Sequence, residues 1–272
     1  MTLFAPVEHI SPGSSPRAMT NLLLLCDHAR NAVPPEIGDL GLTTEDMGRH
    51  IAWDVGARGL TLALSARLGA GAVLSTFSRL VIDPNRGEDD PTLVMRLYDG
   101  SIIPGNRAVD EVEVERRLDA YYRPYHRAVT AALDRIEKAG ETPVIASIHS
   151  FTPSLRGRPP RPWHVGVLWD RDGRLALPMI RLLSAEGDLC IGDNEPYSGQ
   201  LQGDCMWRHG TGRGIAHALI ELRSDLISTP DGQADWAARM DPVLREAVAE
   251  AIGSPTPGIE ARARADDINA KA

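Results

Sequence analysis

Paired cysteines, lysine and long apolar runs are all scarce in this sequence of 272 residues. The three cysteines, Cys26, Cys190 and Cys205, include no CxxC pair, which argues against a disulfide framework and fits a reducing cytoplasm. The longest apolar run, residues 22–26, is far shorter than the roughly 20 residues that span a bilayer. Lysine supplies only two of the 29 basic residues, which we interpret as a coding bias because arginines occur throughout the chain.

A basic, apolar leader and an excess of positive charge are also absent. The N-terminal stretch MTLFAPVEHISPGSS has no basic start followed by an apolar run, so no signal peptide is expected. The net charge of −8 argues against a general binder of nucleic acid or of anionic membranes. With 43% hydrophobic and 24% charged residues, the composition is that of a soluble globular protein. We therefore expect a soluble, cytoplasmic protein that binds neither nucleic acid nor membranes.

What the sequence does contain is an alternation of apolar runs with helical patterns. Residues 22–26 show no polar face, which is typical of a strand buried on both sides within a parallel sheet. Further strand-like runs lie in GAGAVLSTFSRLVID, TPVIASIHSFTP, WHVGVLWD, LCIGDNEPYSG and GIAHALIELRSDLI, and helical patterns cover residues 43–68, 108–139, 174–186 and 231–252. This order predicts a single α/β domain with a mixed, mainly parallel sheet.

Composition divides the chain into three parts. Residues 1–20 are rich in proline and serine and predict an irregular N-terminal arm. Residues 21–252 carry the alternating pattern and predict the folded, functional domain. Residues 253–272 are rich in proline, alanine and charge, and they predict a flexible C-terminal tail.

Four apolar strands end in polar side chains. The four endings are Asp27-His28-Ala29-Arg30-Asn31, Asp83-Pro84-Asn85-Arg86, His149-Ser150 and Glu221-Leu222-Arg223. One such ending is commonplace, but four in one chain favour a functional site. Because open α/β sheets bind ligands at the carboxyl ends of their strands, we expect these side chains to meet at one edge of the sheet.

These residue types are suited to metal-assisted hydrolysis. The imidazoles of His28 and His149 can hold Zn²⁺ and leave positions for a further ligand and a water. A glutamate beside the metal can take a proton from that water and pass it to a leaving nitrogen. An arginine can hold a carboxylate through its planar fork. Serine-nucleophile and phosphate-loop chemistry are not indicated, because the sequence has no GxSxG, GxGxxG or Walker-type motif.

Four stretches, CDHARNAVP, HIAWDVGA, SRLVIDPNR and DNEPYSG, resemble the N-formylglutamate amidohydrolase family. The resemblance covers about residues 21–250, with the motifs in the family's order and spacing. That family is more remotely similar to the zinc carboxypeptidases, whose HxxE, Asn-Arg, Ser-Ile-His-Ser and Glu-Leu-Arg motifs correspond to residues 28–31, 85–86, 147–150 and 221–223. The resemblance implies a three-layer, carboxypeptidase-like α/β sandwich that binds zinc or another divalent metal.

The resemblance also implies a reaction and the residues that perform it. The family's reaction is the hydrolysis of N-formyl-L-glutamate to L-glutamate and formate, a step of histidine degradation. Carried over to this chain, the metal ligands are His28, Asn31 and His149. Glu221 would act as the general base and then as the general acid, and Arg86 would assist catalysis by polarising the substrate carbonyl or by holding its carboxylate.

The third metal ligand departs from the carboxypeptidase pattern, since Asn31 stands where that pattern has a glutamate. A neutral amide oxygen is a weaker zinc ligand than a carboxylate, so either the site is weaker or another group completes it. Asp27 adjoins His28 but points to the other face if the strand continues. Asp54 is the better substitute, although its four-residue spacing from His50 is also typical of a contact on a helix face. The third ligand stays open among these three residues.

Four residues are expected to bind the substrate: Asn85, Arg86, Tyr197 and Arg213. The first two are implied by the resemblance. Tyr197 lies in the turn DNEPYSG, which could present it to the substrate, and Arg213 flanks a Gly-rich loop that could contribute to a lid. Arg79 and Asp83 are instead interpreted as an ion pair that supports the turn at residues 85–86.

The sequence thus predicts a metal-dependent amidohydrolase that cleaves the linear amide of an N-acyl amino acid, with N-formyl-L-glutamate as the implied substrate. An amidohydrolase for another N-acyl amino acid or a peptide-like amide is an alternative, because the loops at residues 87–107 and 153–163 do not reveal specificity. A non-catalytic binding protein of the same fold is a second alternative. The Asn31 departure favours the binding protein, whereas Glu221 together with both histidines favours the enzyme.

Overall fold

The structure of the protein is a computed structural model that describes residues 4–254. Its strands are β1 (Val7–Ile10), β2 (Leu22–Cys26), β3 (Gly71–Ser75), β4 (Leu97–Tyr98), β5 (Ser101–Ile102), β6 (Val144–Phe151), β7 (Val165–Leu168), β8 (Ile191–Asp193) and β9 (Ala216–Arg223). Its α-helices are α1 (Thr44–Met47), α2 (Ala57–Leu68), α3 (Glu111–Arg117), α4 (Arg123–Lys138), α5 (Ala176–Ala185), α6 (Cys205–His209) and α7 (Pro230–Gly253). A π-helical turn over Leu118–Tyr122 joins α3 to α4.

Seven of these strands form one sheet in the order β1-β3-β2-β6-β9-β7-β8, and β4 pairs with β5 in a separate hairpin. Strands β2, β3, β6 and β9 run parallel to one another, whereas β1 is antiparallel to β3 and β7 is antiparallel to β9. The predicted mixed, mainly parallel sheet is confirmed. Because β2, β6 and β9 are neighbours that run in the same direction, their carboxyl ends meet at one edge of the sheet.

The sheet lies between two helical layers. Leu22 and Leu24 of β2 pack in an apolar cluster with α2, α5 and α7, while Leu23 and Leu25 pack in a second cluster with α4 and α6. Successive side chains of a strand point to opposite faces, so a run of four leucines is buried on both sides. Each buried leucine stabilises the fold by roughly 1.5–3 kcal/mol. The predicted three-layer α/β sandwich is confirmed.

The predicted N-terminal arm lies largely within the described residues, whereas the predicted C-terminal tail lies almost entirely outside them. The N-terminal arm is more regular than predicted, because residues 7–10 form the edge strand β1, in which Glu8 is level with Leu74 of β3. Proline residues flank this strand, as sheet edges tolerate. At the other end α7 stops at Gly253, and residues 255–272 of the predicted tail lie outside the described residues. Within residues 4–254, no helix has the length and apolar character that crossing a membrane requires.

The helix expected over residues 43–68 is interrupted between α1 and α2. The intervening segment passes the end of β2, where the backbone N of Asp54 donates to the carbonyl of His28 over 3.0 Å. Gly56, which follows, has a φ of 84°, and a Cβ at this position would lie 2.1 Å from the carbonyl oxygen of Ile227. Only glycine fits there. This interruption brings Asp54 to the edge of the sheet.

Candidate active site

Three buried side chains converge at the carboxyl edge of the sheet. His28 follows β2, His149 lies near the end of β6, and Asp54 comes from the segment between α1 and α2. Asp54 Oδ2 lies 3.3 Å from Nδ1 of His28 and 2.8 Å from Nδ1 of His149. One nitrogen or oxygen atom of each residue lies within 4.8 Å of the other two, a spacing that suits one metal ion.

A further carboxylate holds each imidazole from the opposite side of the ring. Nε2 of His28 donates to Asp83 Oδ1 over 2.7 Å, and Nε2 of His149 donates to Asp27 Oδ2 over 2.9 Å. A ring that donates through Nε2 presents a lone pair at Nδ1, the orientation of a metal-binding imidazole. Both Nδ1 atoms face the Asp54 carboxylate, so a metal ion or a proton is needed among the three groups. Two imidazoles and one carboxylate fit Zn²⁺ or another divalent metal.

The close contact of Asp54 with the two histidines shifts the pKa values of Asp54 and His149. When a proton lies between these groups, the charge of His28 and the hydrogen bonds that both rings then donate outweigh burial and hold the pKa of the Asp54 carboxyl well below its usual range. Burial lowers the pKa of His149, yet its hydrogen bonds to Asp27 and Asp54 raise it well above the usual value. The carboxylates therefore stay ionised and create a negative potential that favours a cation.

Asp27 and Asp83 are themselves fixed by further contacts. Asp27 accepts a hydrogen bond from the Tyr125 hydroxyl over 2.5 Å. Asp83 accepts from Nε and Nη2 of Arg79 over 3.1 and 2.7 Å, which confirms the expected ion pair. Nη1 of Arg79 also lies 3.7 Å from Asp54 Oδ1, so the arginine bridges a supporting carboxylate and the central one.

Glu221 lies beside this group on the neighbouring strand. In the parallel pairing of β6 with β9 it is level with His149. Its side chain is buried, and its Oε2 atom has no hydrogen-bond partner among the described residues. Burial disfavours the charged form and raises the pKa of Glu221 to about 7. A carboxyl with a free oxygen and a pKa near neutrality can accept a proton and release it again.

A cavity of about 890 Å³ opens over these groups, and its lining includes His28, Asp54, His149 and Glu221. Three of the predicted substrate residues also line it: Asn85, Arg86 and Tyr197. Asn85 Oδ1 accepts from the backbone N of Cys205 over 3.1 Å, and Nη1 of Arg86 donates to the Asn85 carbonyl over 2.8 Å. The Tyr197 hydroxyl accepts from Nη1 of Arg161 over 2.9 Å.

Two predicted site residues lie elsewhere. Nδ2 of Asn31 donates to the Met47 carbonyl over 2.8 Å, and Asn31 is not part of the cavity lining. Nη2 of Arg213 lies 2.8 Å from Asp134 and from Glu137 of α4, so Arg213 ties the Gly-rich loop to that helix and does not line the cavity either. Of the three candidates for the third ligand, Asp54 is the one whose carboxylate contacts Nδ1 of both histidines.

The pattern of polar strand ends missed part of the cavity lining: His50, Tyr98, Trp169 and Trp207. His50 lies in the same motif as Asp54, HIAWDVGA, which was the available signal for it. Trp169 is positioned through the turn DNEPYSG, because Asn194 Oδ1 accepts from its backbone N over 3.0 Å. Tyr98 and Trp207 come from the β4–β5 hairpin and from α6, which no sequence pattern brought to the site.

The chain is similar in sequence to known amidohydrolases. The model of a family described as N-formylglutamate amidohydrolase matches residues 20–228. Over 94 residues the chain is 32% identical to an N-formylglutamate deformylase of Pseudomonas putida. That alignment covers 31% of this chain and 35% of the relative, so the matched part spans about a third of the relative's length.

Two solved structures share the fold over most of their length. The crystal structure of a gene product of Agrobacterium tumefaciens is 34% identical, with a TM-score of 0.82, and the match covers 90% of this chain and 95% of that one. An N-formylglutamate amidohydrolase of Ralstonia eutropha is 24% identical, with a TM-score of 0.65, over 92% of this chain and 100% of that one. The second likeness shows the fold alone.

Proposed function

The chain belongs to the N-formylglutamate amidohydrolase family, and from this premise we propose that it is a metal-dependent amidohydrolase acting on a linear amide. The proposed substrate is N-formyl-L-glutamate, which water converts to L-glutamate and formate. The proposal depends on the convergence of His28, Asp54 and His149 beside Glu221, whose Oε2 atom has no hydrogen-bond partner within residues 4–254. The proposal includes the setting that the resemblance implies, a step of histidine degradation in the cytoplasm.

In this proposal His28, Asp54 and His149 hold the metal, with Asp54 in the place that the sequence pattern gave to Asn31. Asp83 and Asp27 support it by fixing the orientation of the two imidazoles. Three protein ligands leave a coordination position for water or substrate, as catalytic zinc sites do. When bound, a divalent metal supplies Lewis-acid polarisation of a carbonyl group and increases the acidity of water.

In this proposal Glu221 transfers a proton from the attacking water to the leaving nitrogen. Its free oxygen accepts a proton from the water as the water oxygen forms a bond to the formyl carbon. The same carboxyl then gives that proton to the amide nitrogen as the carbon–nitrogen bond breaks, so glutamate leaves as the amine and the formyl carbon leaves as formate. A pKa of about 7 suits a group that must perform both transfers near neutral pH.

Arg86 holds a carboxylate of the substrate through its guanidinium group. The turn that carries it is tied to the metal site, because the backbone N of Asn85 donates to Asp83 Oδ1 over 2.9 Å. The Tyr122 hydroxyl also donates to the Arg86 carbonyl over 2.7 Å. One carboxylate, Asp83, thus orients both a metal-binding imidazole and the substrate-binding turn.

Formate release from N-formyl-L-glutamate tests the proposal. We expect purified protein to release formate with Zn²⁺ or another divalent ion, to stop after chelation, and to recover when the ion is added back. Glu221→Gln should keep its metal and lose turnover, while Asn31→Ala should keep both.

Three other outcomes count against parts of the proposal. Release that survives complete metal removal would contradict the metal-dependent mechanism. Full turnover by Glu221→Gln would contradict the role of that residue. Metal binding without turnover of any N-acyl amino acid would indicate a binding protein of the same fold.

A further inference from the structure

Two tyrosine side chains lie in the wall of the cavity beside the proposed metal site. Tyr98, from β4, and Tyr197, from the turn after β8, both line the cavity. The guanidinium of Arg79 lies 5.4 Å from the centre of the Tyr98 ring. Nη1 of the same arginine lies 3.7 Å from Oδ1 of Asp54, the proposed central ligand. Tyr98 is therefore a neighbour of the group that would hold the metal.

Both tyrosine hydroxyls have a proton to donate. The Tyr197 hydroxyl accepts a hydrogen bond from Nη1 of Arg161 over 2.9 Å, so its own proton is available to another acceptor. The Tyr98 hydroxyl has no hydrogen-bond partner within residues 4–254, and the Tyr197 proton has no acceptor there either. Two available donors in one cavity wall suit an anionic group of a ligand.

Tyr197 lies close to Tyr98 and to the proposed general base. Burial raises the pKa of Tyr197, and the neighbouring Glu221 and Tyr98 raise it further, whereas Arg161 lowers it. Because such charge effects weaken with distance, they place Tyr197 among these three residues. The two tyrosines thus border the part of the cavity in which the amide bond would be hydrolysed.

Arg161 supplies positive charge behind this wall. Its guanidinium lies 5.0 Å from the centre of the Tyr197 ring and 5.7 Å from that of Phe151, and Nη1 also donates to the Thr152 carbonyl over 3.3 Å. The oxygen atoms that accept its hydrogen bonds are neutral, and it forms no ion pair within residues 4–254. A guanidinium that is fixed without a counter-ion creates a positive potential, which attracts an anion.

The proposed substrate has two carboxylates, and each needs donors of its own. The α-carboxylate is bonded to the carbon that carries the amide nitrogen, so it must stay near the reacting bond. The turn of Arg86 suits it, because Asp83 ties that turn to His28. The side-chain carboxylate lies farther from the amide, and burying it without hydrogen bonds would be costly.

We infer that the side-chain carboxylate of the substrate binds to the hydroxyls of Tyr98 and Tyr197, with Arg161 as the positioning residue that directs the Tyr197 proton into the cavity. This inference rests on the proposed function, because it concerns the same substrate at the same site. It assigns specificity to the loops at residues 87–107 and 153–163, which contain Tyr98 and Arg161. A side chain without a carboxylate would leave these donors unpaired, and sites of this kind reject such analogues.

Three substrates that differ only at the end of the side chain test the inference. They are N-formyl-L-glutamate, N-formyl-L-glutamine and N-formyl-L-norvaline, and the readout is formate release by the metal-loaded protein. We expect kcat/KM for the glutamate compound to exceed that for each of the others by at least about 100-fold. Equal values, or a preference for an uncharged side chain, would overturn the inference while the proposed hydrolysis stands. No formate from any of the three would end the proposed function itself.

Two variants check which residues cause the preference. Tyr98→Phe removes one hydroxyl, and Arg161→Gln removes the charge behind the other. Each should lower the glutamate-to-norvaline ratio of kcat/KM by about tenfold, mainly by raising KM for the glutamate compound. Arg158→Gln is the matched control, because Arg158 is an exposed residue of the same loop as Arg161, and its ratio should equal that of the wild type.

Circular dichroism and metal content show whether each variant folds and binds its metal. Unchanged ratios in folded Tyr98→Phe and Arg161→Gln proteins would overturn the assignment. A fall in kcat by the same factor on both substrates would show a purely structural role and would overturn it as well. An equal loss of preference in Arg158→Gln would contradict the specific role of Arg161.

Discussion

Within residues 4–254, two groups of three buried side chains of metal-binding types have very different surroundings. His28, Asp54 and His149 form the first group; His126, Cys205 and His209 form the second, again with one candidate ligand atom per residue within 4.8 Å. In the first group each imidazole donates to a supporting carboxylate, and the cavity reaches all three residues. In the second, neither imidazole is hydrogen-bonded to a carboxylate within residues 4–254, and none of the three lines the cavity.

The second group is organised around a direct hydrogen bond between its two imidazoles. Nδ1 of His126 lies 2.9 Å from Nε2 of His209, with the rings within 25° of parallel. Zinc–nitrogen bonds of about 2.0–2.1 Å at a tetrahedral angle would hold those nitrogens about 3.3 Å apart. Burial lowers the pKa of His126 well below its usual value and that of His209 to about 4, so both rings are neutral. Residue types alone therefore do not distinguish the two groups; the carboxylates that hold the imidazoles and the access from the cavity do.

The largest difference between the two groups is expected when Asp54 is replaced. Asp54→Ala removes the proposed central ligand, so we expect the bound metal to fall from about one equivalent per chain to near zero and kcat to fall by at least about a thousandfold. Metal analysis by mass spectrometry, with formate release on the same samples, measures both. Cys205→Ser is the matched control in the second group and should keep its metal and its activity. Two metal equivalents in the wild type, one of them lost in Cys205→Ser, would contradict the distinction.

A smaller effect is expected at the supporting carboxylates. Asp83→Asn keeps the shape of the side chain but weakens the hydrogen bond that orients His28, so metal affinity should fall by about 10–100-fold. Titration of the metal-free protein with Zn²⁺ against a competing chelator measures this affinity. His126→Gln, in the group whose imidazoles have no carboxylate partner within residues 4–254, should bind zinc with wild-type affinity. Equal losses in the two variants would show that Asp83 has no special role.

The buried histidines of the second group should make the free energy of unfolding depend on pH. In the unfolded chain, His209 becomes protonated when the pH falls below its ordinary pKa of about 6.5. In the folded protein the pKa of its imidazole is about 4, so protonation requires a much lower pH. Between these values the unfolded state holds more protons, so the free energy of unfolding falls as the pH drops, by about 2–3 kcal/mol from this residue at pH 4.5. Urea unfolding at pH 7 and pH 4.5 should show a smaller fall in His209→Gln. His9→Gln, at an exposed position of β1, should retain the fall of the wild type, and identical pH dependence in all three proteins would contradict the assignment.

The smallest effect is expected at Arg213, whose guanidinium pairs with Asp134 and Glu137 of α4. These ion pairs are partly exposed, so Arg213→Ala should cost less than about 1 kcal/mol in unfolding free energy. Because Arg213 does not line the cavity, kcat/KM should stay within about twofold of the wild type. Arg86→Ala, which removes a cavity-lining guanidinium, should reduce kcat/KM by at least about tenfold. A larger kinetic loss in Arg213→Ala than in Arg86→Ala would reverse our assignment of these two arginines.

Much of the fold followed from local patterns. The four consecutive leucines of β2 predicted a doubly covered strand, and the apolar spacing over residues 231–252 predicted α7, because both depend on side chains a few positions apart. The edge strand β1 escaped prediction, since a four-residue segment between prolines is recognisable only through its pairing with β3. The interruption between α1 and α2 escaped it too, because the helical spacing continues through a segment that Gly56 turns against Ile227.

The polar residues at the strand ends could be read from the sequence, and His28, His149 and Glu221 are the set that we propose for hydrolysis on that ground. Which carboxylate lies with them could be seen only in the folded chain. Asn31 is only three residues after His28, yet its side chain donates a hydrogen bond to the Met47 carbonyl. Asp54 contacts both histidines, although it lies 26 residues after His28 and 95 residues before His149. This is because the register of the sheet and the path of a loop bring residues that are distant in the chain within hydrogen-bonding distance. Their separation in the sequence does not predict that distance.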